Sequence, residues 1–283
     1  MGRRKTAIDA NGAHVCHHSG VTVKDALLGS LLPAADAETL LACLLQKGRS
    51  WLVAHSDASL TPMQWERWIA WVARRKNHEP VAYITQQQEF YGRHFSVDHR
   101  VLIPRPATEG VVEMTLAFLH DGKEREEEVD AGIVVCAQRI SSGEKFDPQT
   151  IVDVGTGSGC IAITLALERP RLHVIATDIS SDALDVARIN ADHHGVLERI
   201  TFTQGDGLAA VWDLSEPFLL VSNPPYIPEG RELMKDVKDF EPSVALFGGR
   251  DGRAVARKLR NDAAEHPFCQ GWVMEGESEL SFS

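Results

Sequence analysis

The chain has 283 residues, 43% of them hydrophobic, and carries 29 Lys and Arg against 40 Asp and Glu, a formal charge of −11. That length holds one large or two smaller domains, and the acidic balance counts against a duplex-nucleic-acid binder, which favours a basic face. No apolar run approaches the roughly 18 residues that span a bilayer. Arg3-Arg4-Lys5 lacks the apolar stretch of a secretory signal, and cysteines at 16, 43, 136, 160 and 269 show no framework spacing, so a cytoplasmic protein in a reducing compartment is expected.

Residues 1–20 read as a disordered tail. His14, Cys16, His17 and His18 cluster there, but with no matching distal pair they are not read as a metal site, and no metal is expected. Residues 21–89 read as a compact helical domain. Thr22 with Asp25 resembles a capping box, Ala37 to Gln46 forms a leucine-rich helix, and a further helix starts at Thr61-Pro62 with proline in its first turn. In that helix Trp65, Trp68, Ile69 and Val72 fall at i, i+3, i+4 and i+7, a core stripe in preference to a partner groove. Residues 90–106 read as a strand pair linking to the second domain, 107–283. Thr108 is placed to cap a helix that buries Val112, Leu116 and Leu119.

Thr150 to Val154 reads as a short buried strand running into Gly155-Thr156-Gly157-Ser158-Gly159, followed by the apolar helix Cys160 to Leu167. Strand, glycine turn and helix open a nucleotide-binding βαβ unit, in which small residues let the backbone approach a ligand closely. The next strand, His173 to Thr177, ends in Asp178, a carboxylate placed for ribose hydroxyls. A dinucleotide fingerprint wants glycine at 155, 157 and 160. Position 160 is Cys and glycine falls at 159, a pattern from Asp153 that suits S-adenosylmethionine, which has no phosphate.

A later apolar strand, Phe218 to Val221, leads into Asn223-Pro224-Pro225-Tyr226. The prolines fix φ and remove two N–H groups, leaving the Pro224 carbonyl and the Asn223 side-chain oxygen as acceptors for the two N–H bonds of a planar amino group. Tyr226 can stack on that group. In open α/β sheets ligands bind beyond the carboxyl ends of the strands, so the glycine loop, Asp178 and this tetrapeptide should converge on one crevice.

From about residue 22 to 275 the chain resembles the release-factor glutamine N5-methyltransferases (HemK/PrmC), which methylate the glutamine of a GGQ tripeptide in peptide-chain release factors. The resemblance is carried by Arg74 to Ile84, Glu89 to Gly92, Val101 to Glu109, Asp153 to Gly159, Asn223 to Pro228, Phe240-Glu241-Pro242, Gly248-Gly249 and Asp251-Gly252. It implies a Rossmann-like α/β methyltransferase domain behind a small helical domain that helps recognise the release factor. It also implies S-adenosylmethionine held by Gly155 to Gly159 and Asp178, with Asn223 at its edge, and a glutamine held by Asn223 to Tyr226. Asp206 falls where relatives contact adenine, though the usual aromatic residue after it is Gly207 here. Arg105, Thr108 and Glu109 would line the cofactor mouth.

Two departures from that family stand out. Residues 120–149 are an insertion, with Glu124 to Glu128 read as a solvated acidic loop and Ile133 to Cys136 as a small added strand, far from the tetrapeptide and without effect on the chemistry. Gly271 to Glu275 matches the fifth strand of a sheet ordered 3-2-1-4-5-7-6, and the chain stops eight residues later. Lacking the last two strands, a truncated chain would leave strand five as a bare edge. Beside transfer to the GGQ glutamine stand a ribosomal-protein glutamine methyltransferase, an N6-adenine nucleic-acid methyltransferase, and a non-catalytic cofactor-binding protein. Membrane association is not expected and direct nucleic-acid binding is disfavoured.

Overall fold

A computed structural model describes residues 20–140 and 146–277, together with the backbone of a short antiparallel strand pair, β1 (Ala7–Ile8) and β2 (His14–Val15). The side chains of the His14, Cys16, His17 and His18 cluster fall outside the described residues. The chain divides into two compact units, 1–85 and 86–283.

The first unit is helical: α1 (Val23–Ser30), α2 (Ala34–Leu45), α3 (Arg49–Ala54), α4 (Pro62–Lys76) and α5 (Val81–Thr85). Thr22 and Asp25 form a reciprocal capping box on α1, and Thr61 with Gln64 does the same on α4, whose first residue is Pro62. Two orphan N–H groups are thereby satisfied at each start. Val23, Leu40, Leu41, Leu52, Trp68, Trp71 and Val72 pack into one core. In α4 the buried side is Trp68, Trp71 and Val72, whereas Ile69 is 49% exposed. Trp65, Trp68 and Val72 thus face the core as expected, with Trp71 in place of Ile69.

The second unit opens with a hairpin, β3 (Gln87–Phe90) and β4 (Arg93–Ser96), turning through Tyr91 and Gly92 at positive φ. The strand pair expected over 90–106 thus forms at 87–96, and residues 97–105 carry neither helix nor strand. There follow α6 (Glu109–Asp121), β5 (Arg125–Asp130), β6 (Ile133–Arg139), β7 (Thr150–Val154), α7 (Cys160–Glu168), β8 (His173–Asp178), α8 (Ser181–His193), β9 (Ile200–Gln204), β10 (Phe218–Ser222), α9 (Lys235–Phe240), α10 (Ala254–Glu265) and β11 (Cys269–Glu277). One seven-stranded sheet has the order β5-β6-β11-β10-β7-β8-β9. Strands β11, β10, β7, β8 and β9 run parallel, while β6 is antiparallel to both β11 and β5. Every residue of β7 and β10 is buried, as expected of central strands covered on both faces.

The insertion corrects two expectations. Its acidic run is not a loop but the edge strand β5, and β6 covers the flank of β11, with Glu275 opposite Val135 and Val273 opposite Ala137. Strand five is therefore not a bare edge. The hairpin occupies the flank where the family's last two strands are expected to be lacking, and its outer strand exposes Glu126, Glu127 and Glu128, a charged edge that discourages pairing with another chain. The hairpin also packs onto α6: a Cβ on Gly110 would fall 2.5 Å from Val129 Cγ1.

Candidate active site

The strand order reverses between β7 and β10, the position at which open α/β sheets form a ligand crevice. These neighbours pair in parallel, Val221 opposite Asp153, and the Ser222 hydroxyl donates to the Val154 carbonyl at 2.7 Å. Their carboxyl ends release the glycine loop and Asn223 side by side.

On the glycine-loop side lies a cavity of ≈ 220 Å³ lined by Val154, Gly155, Gly157, Asp178, Ile179, Asp206, Val255, Lys258 and Asn223, among others. Gly155, Gly157 and Gly159 adopt φ of 73°, 54° and 81°, the left-handed region that favours glycine. Thr156, Ser158 and Gly159 do not line the cavity but shape its wall. The Thr156 hydroxyl donates to Asp153 at 2.7 Å, and the Asn190 side chain donates to the Ser158 carbonyl at 2.8 Å. Asn190 is fully buried and also bonds both backbone groups of Ser96, tying the hairpin to the loop. It was not anticipated, because a single Asn in an amphipathic helix carries no motif.

The loop's N–H groups decide the cofactor class. Gly155 and Thr156 donate to Thr177, Gly159 to Thr156, and Gly157 to Asp178 Oδ2 at 2.9 Å. Four of the five amides of residues 155–159 are thus bonded inside the protein and are not free to hold a pyrophosphate. An uncharged nucleoside makes no demand on these groups. Asp178 Oδ1 accepts from Ser180 N at 2.9 Å. Burial pushes the Asp178 pKa up while the N–H groups of Ser180, Gly157 and Ile179 pull it back, and the residue lines the cavity. Asp206 is 69% exposed at the far wall, 3.5 Å from Lys258 Nζ. The ammonium sits where a side chain at Gly207 would begin, 2.8 Å from that Cβ position.

A second cavity, of ≈ 290 Å³, is lined by Leu102, Arg105, Asn223 to Ile227, Glu232 to Met234, Val237, Ala245 and Leu246. Asn223 and Pro225 line both cavities. Asn223 Nδ2 donates to Thr108 Oγ1 at 2.8 Å. Among the described residues its Oδ1 and the Pro224 carbonyl take no hydrogen bond, which leaves both as open acceptors. Thr108 does not cap α6, as expected from sequence; its hydroxyl makes no cap bond. The helix nevertheless buries Val112 and partly buries Leu116 and Leu119.

Three further contacts hold the tetrapeptide. Tyr226 donates its hydroxyl to Glu275 Oε1 at 3.2 Å, and burial together with that acid raises the tyrosine pKa. Arg105 pairs with the buried Glu241 at 2.5 Å, whose other oxygen accepts from Ile103 N at 3.3 Å; this joins the Pro104-Arg105-Pro106 and Phe240-Glu241-Pro242 segments. Glu109 Oε1 accepts from Tyr91 N at 2.8 Å, which places it at the hairpin turn and not in either cavity. Gly248 and Gly252 lie directly against the tetrapeptide backbone: a Cβ on the first would fall 2.3 Å from the Pro225 carbonyl oxygen, and on the second 2.3 Å from that of Tyr226. Glycine is the one residue that fits at either position.

Comparison with known proteins identifies the family. A family model described as the PrmC N-terminal domain matches residues 25–85, and one described as the methyltransferase small domain matches residues 123–240. The chain is 44% identical over 219 residues to a release factor glutamine methyltransferase of Chlorobaculum tepidum, covering 76% of this chain and 68% of the relative. It is 38% identical over 244 residues to that of Koribacter versatilis, covering 86% and 78%. A bifunctional methyltransferase of Rickettsia conorii is 36% identical over 236 residues, which are 83% of this chain but 45% of that protein. The chain belongs to the release factor glutamine methyltransferase family.

Proposed function

We propose that the protein transfers a methyl group from S-adenosylmethionine to the side-chain N5 of the glutamine in the GGQ motif of a peptide-chain release factor. The observation that carries this reading is the position of Asn223 on the wall shared by the two cavities, one fitted to an uncharged adenosine and the other lined by the Asn-Pro-Pro-Tyr turn. The kinship with release factor glutamine methyltransferases supports the choice of substrate. The helical unit of residues 21–89 is assigned to release-factor recognition. Among the described residues no helix is long and apolar enough to cross a membrane, and we assign the reaction to the cytoplasm.

The cofactor supplies an electrophilic methyl group on a sulfonium centre. Gly155, Gly157 and Asp178 would hold its nucleoside, with Asp206 and Lys258 at the outer wall. The amide nitrogen of glutamine is a weak nucleophile, because its lone pair is delocalised into the carbonyl, so orientation must supply most of the acceleration. Asn223 Oδ1 and the Pro224 carbonyl accept the two amide N–H bonds, and the Tyr226 ring covers the flat face. As positive charge develops on the nitrogen, both acceptors bind it more strongly than they bound the neutral amide. Neither needs to remove a proton before transfer, and the methylated nitrogen releases its surplus proton to solvent afterwards.

Incubating the protein with methyl-labelled S-adenosylmethionine and, in separate reactions, release factor, ribosomal proteins and DNA tests the proposal. Label on the GGQ glutamine is expected. Label confined to ribosomal protein or adenine would overturn it, as would cofactor binding with no transfer to any of the three.

A further inference from the structure

The structure assigns Glu275 a positioning role: this buried acid near the end of β11 sets the polarity of the hydrogen bonds that aim Asn223 Oδ1 into the crevice. The inference rests on the reading of Asn223 as an acceptor for the substrate amide. An asparagine side chain has nearly the same shape when rotated by half a turn, but it then offers N–H donors where the substrate also offers donors. Something in the protein must forbid that rotation.

The Thr108 bond does not forbid it alone. A hydroxyl both donates and accepts, so Thr108 could take a proton from Asn223 Nδ2 or give its own to Asn223 Oδ1. Thr108 is 3% exposed, which leaves little water to choose between them. The choice falls to Glu275, which is fully buried and, when ionised, can only accept. Its Oε1 takes the Tyr226 hydroxyl at 3.2 Å, while Oε2 closes no hydrogen bond and remains an open acceptor. Burial raises the pKa of this acid, while hydrogen bonds from the side chains of Thr108, Tyr226 and Asn223 and the charge of Arg105 pull it back. As a carboxylate it draws the Thr108 hydroxyl proton towards itself and favours the Nδ2 side of Asn223, which also lies within its reach, facing inwards. The threonine oxygen is then left to accept from Asn223 Nδ2, as observed at 2.8 Å, and Asn223 Oδ1 faces outwards.

Glutamine at 275 keeps the shape but adds donors, so the order of the chain is no longer fixed. In Glu275→Gln, kcat on a GGQ peptide is expected to fall about 10²-fold, the scale of a misaligned reacting group, with the cofactor Kd within about threefold of wild type, as orientation and cofactor binding are separate. If both residues act through Asn223, Glu275→Gln combined with Thr108→Val should cost no more than the worse single change. In full-length protein labelled with 15N-asparagine, the Asn223 side-chain NH2 pair should shift in Glu275→Gln. Unshifted resonances in the folded variant, or fully additive losses of kcat, would overturn the assignment. A neutron structure of the wild type needs no variant. The Thr108 deuteron is expected to point at Glu275, and one directed at Asn223 Oδ1 refutes the idea. The spectra and the neutron structure judge Glu275 independently of catalysis, so a wild type that fails to methylate the peptide counts against the proposed function and not against this positioning role.

Discussion

Asn223 donates to Thr108 at 2.8 Å across a separation of 115 residues, and this bond leaves the asparagine oxygen open at the junction of the two cavities. Removing the side chain removes one of two acceptors for the substrate amide and little of the cofactor wall. Asn223→Ala is expected to lower methyl transfer by about 10²–10³-fold, the range seen when one preorganised polar partner of a reacting centre is lost. Calorimetric affinity for S-adenosylmethionine should change little. Equal losses of transfer and of cofactor affinity would place Asn223 in the cofactor site and not in the clamp.

Gly248 makes the same turn sensitive to a single methyl group. Its Cβ would fall 2.3 Å from the Pro225 oxygen and 2.4 Å from the Gly252 oxygen, both backbone atoms that cannot rotate aside. Gly248→Ala should cost about 1–3 kcal/mol of stability, as overpacking usually does, and reduce transfer further by displacing the turn. Gly29→Ala provides a control: it lies inside α1 with nothing within 4 Å of its Cβ, and should gain up to about 1 kcal/mol from helix propensity. Thermal melts of both variants check the pair. A Gly248→Ala protein with wild-type melting and transfer would show that the turn does not depend on this contact.

What could be read in advance follows from what each residue does locally. The loop from Gly155 to Gly159 and the turn from Asn223 to Tyr226 act through their own backbones, by positive φ and by absent N–H groups, so their chemistry is written in adjacent letters. Thr108 reads both as a helix cap, a local role, and as part of the cofactor mouth, and its partner Asn223 lies in another motif. Glu275 gave no signal, since one acid within an apolar strand looks like a strand end. Within the insertion, Ile133 to Cys136 does form the expected strand, as part of β6, whereas the acidic run reads as a loop because glutamates have low strand propensity. An edge strand tolerates them on its solvent face, and the pairing that orders β5 comes from Val134 and Val135 of β6 and their neighbours.

The Arg105–Glu241 pair should behave as a buried ion pair with one wet end. Glu241 has a side chain 1% exposed and Arg105 one 36% exposed. Arg105→Gln strands a buried carboxylate, which typically costs about 3–5 kcal/mol. Adding Glu241→Gln removes the stranded charge and should recover most of that loss in urea unfolding. If the double variant is no more stable than Arg105→Gln, the penalty lies elsewhere than in the unpaired carboxylate.

Asp153 gives a prediction in pH. Burial lifts its pKa to about 7, against the Thr156 hydroxyl and the Ala162 N–H, which pull it down. A carboxyl whose folded pKa lies above its unfolded value favours the folded state fully below the unfolded pKa, and that contribution fades as pH rises through the folded one. The window is therefore about pH 4 to 7, and the whole effect is on the order of 4 kcal/mol. Asp153→Asn keeps an acceptor for Thr156 but cannot ionise. Its stability relative to wild type should rise between pH 5 and pH 8 in paired denaturation curves. A difference that stays constant over that window would mean Asp153 is ionised throughout.

The insertion hairpin should be necessary for both solubility and chemistry. Strand β6 pairs with β11 from Gly271 opposite Arg139 to Glu277 opposite Ile133, so replacing residues 124–140 with a short Gly-Ser link uncovers a long, largely apolar edge. Such an edge is a template for pairing with a second copy, and light scattering should report self-association of the deletion variant. The uncovered strand carries Glu275 opposite Val135, so transfer should fall in any fraction that stays monomeric. A gentler change separates the two effects. Gly110→Ala places a Cβ 2.5 Å from Val129 Cγ1 but in ordinary contact, 3.5 Å, with Val135 Cγ2, prying β5 from α6 while leaving the β6 pairing with β11 in place. That variant should remain monomeric and lose stability by about 1–3 kcal/mol, with transfer per folded molecule near wild type. A monomeric, fully stable deletion variant would show that the hairpin is not what closes the sheet.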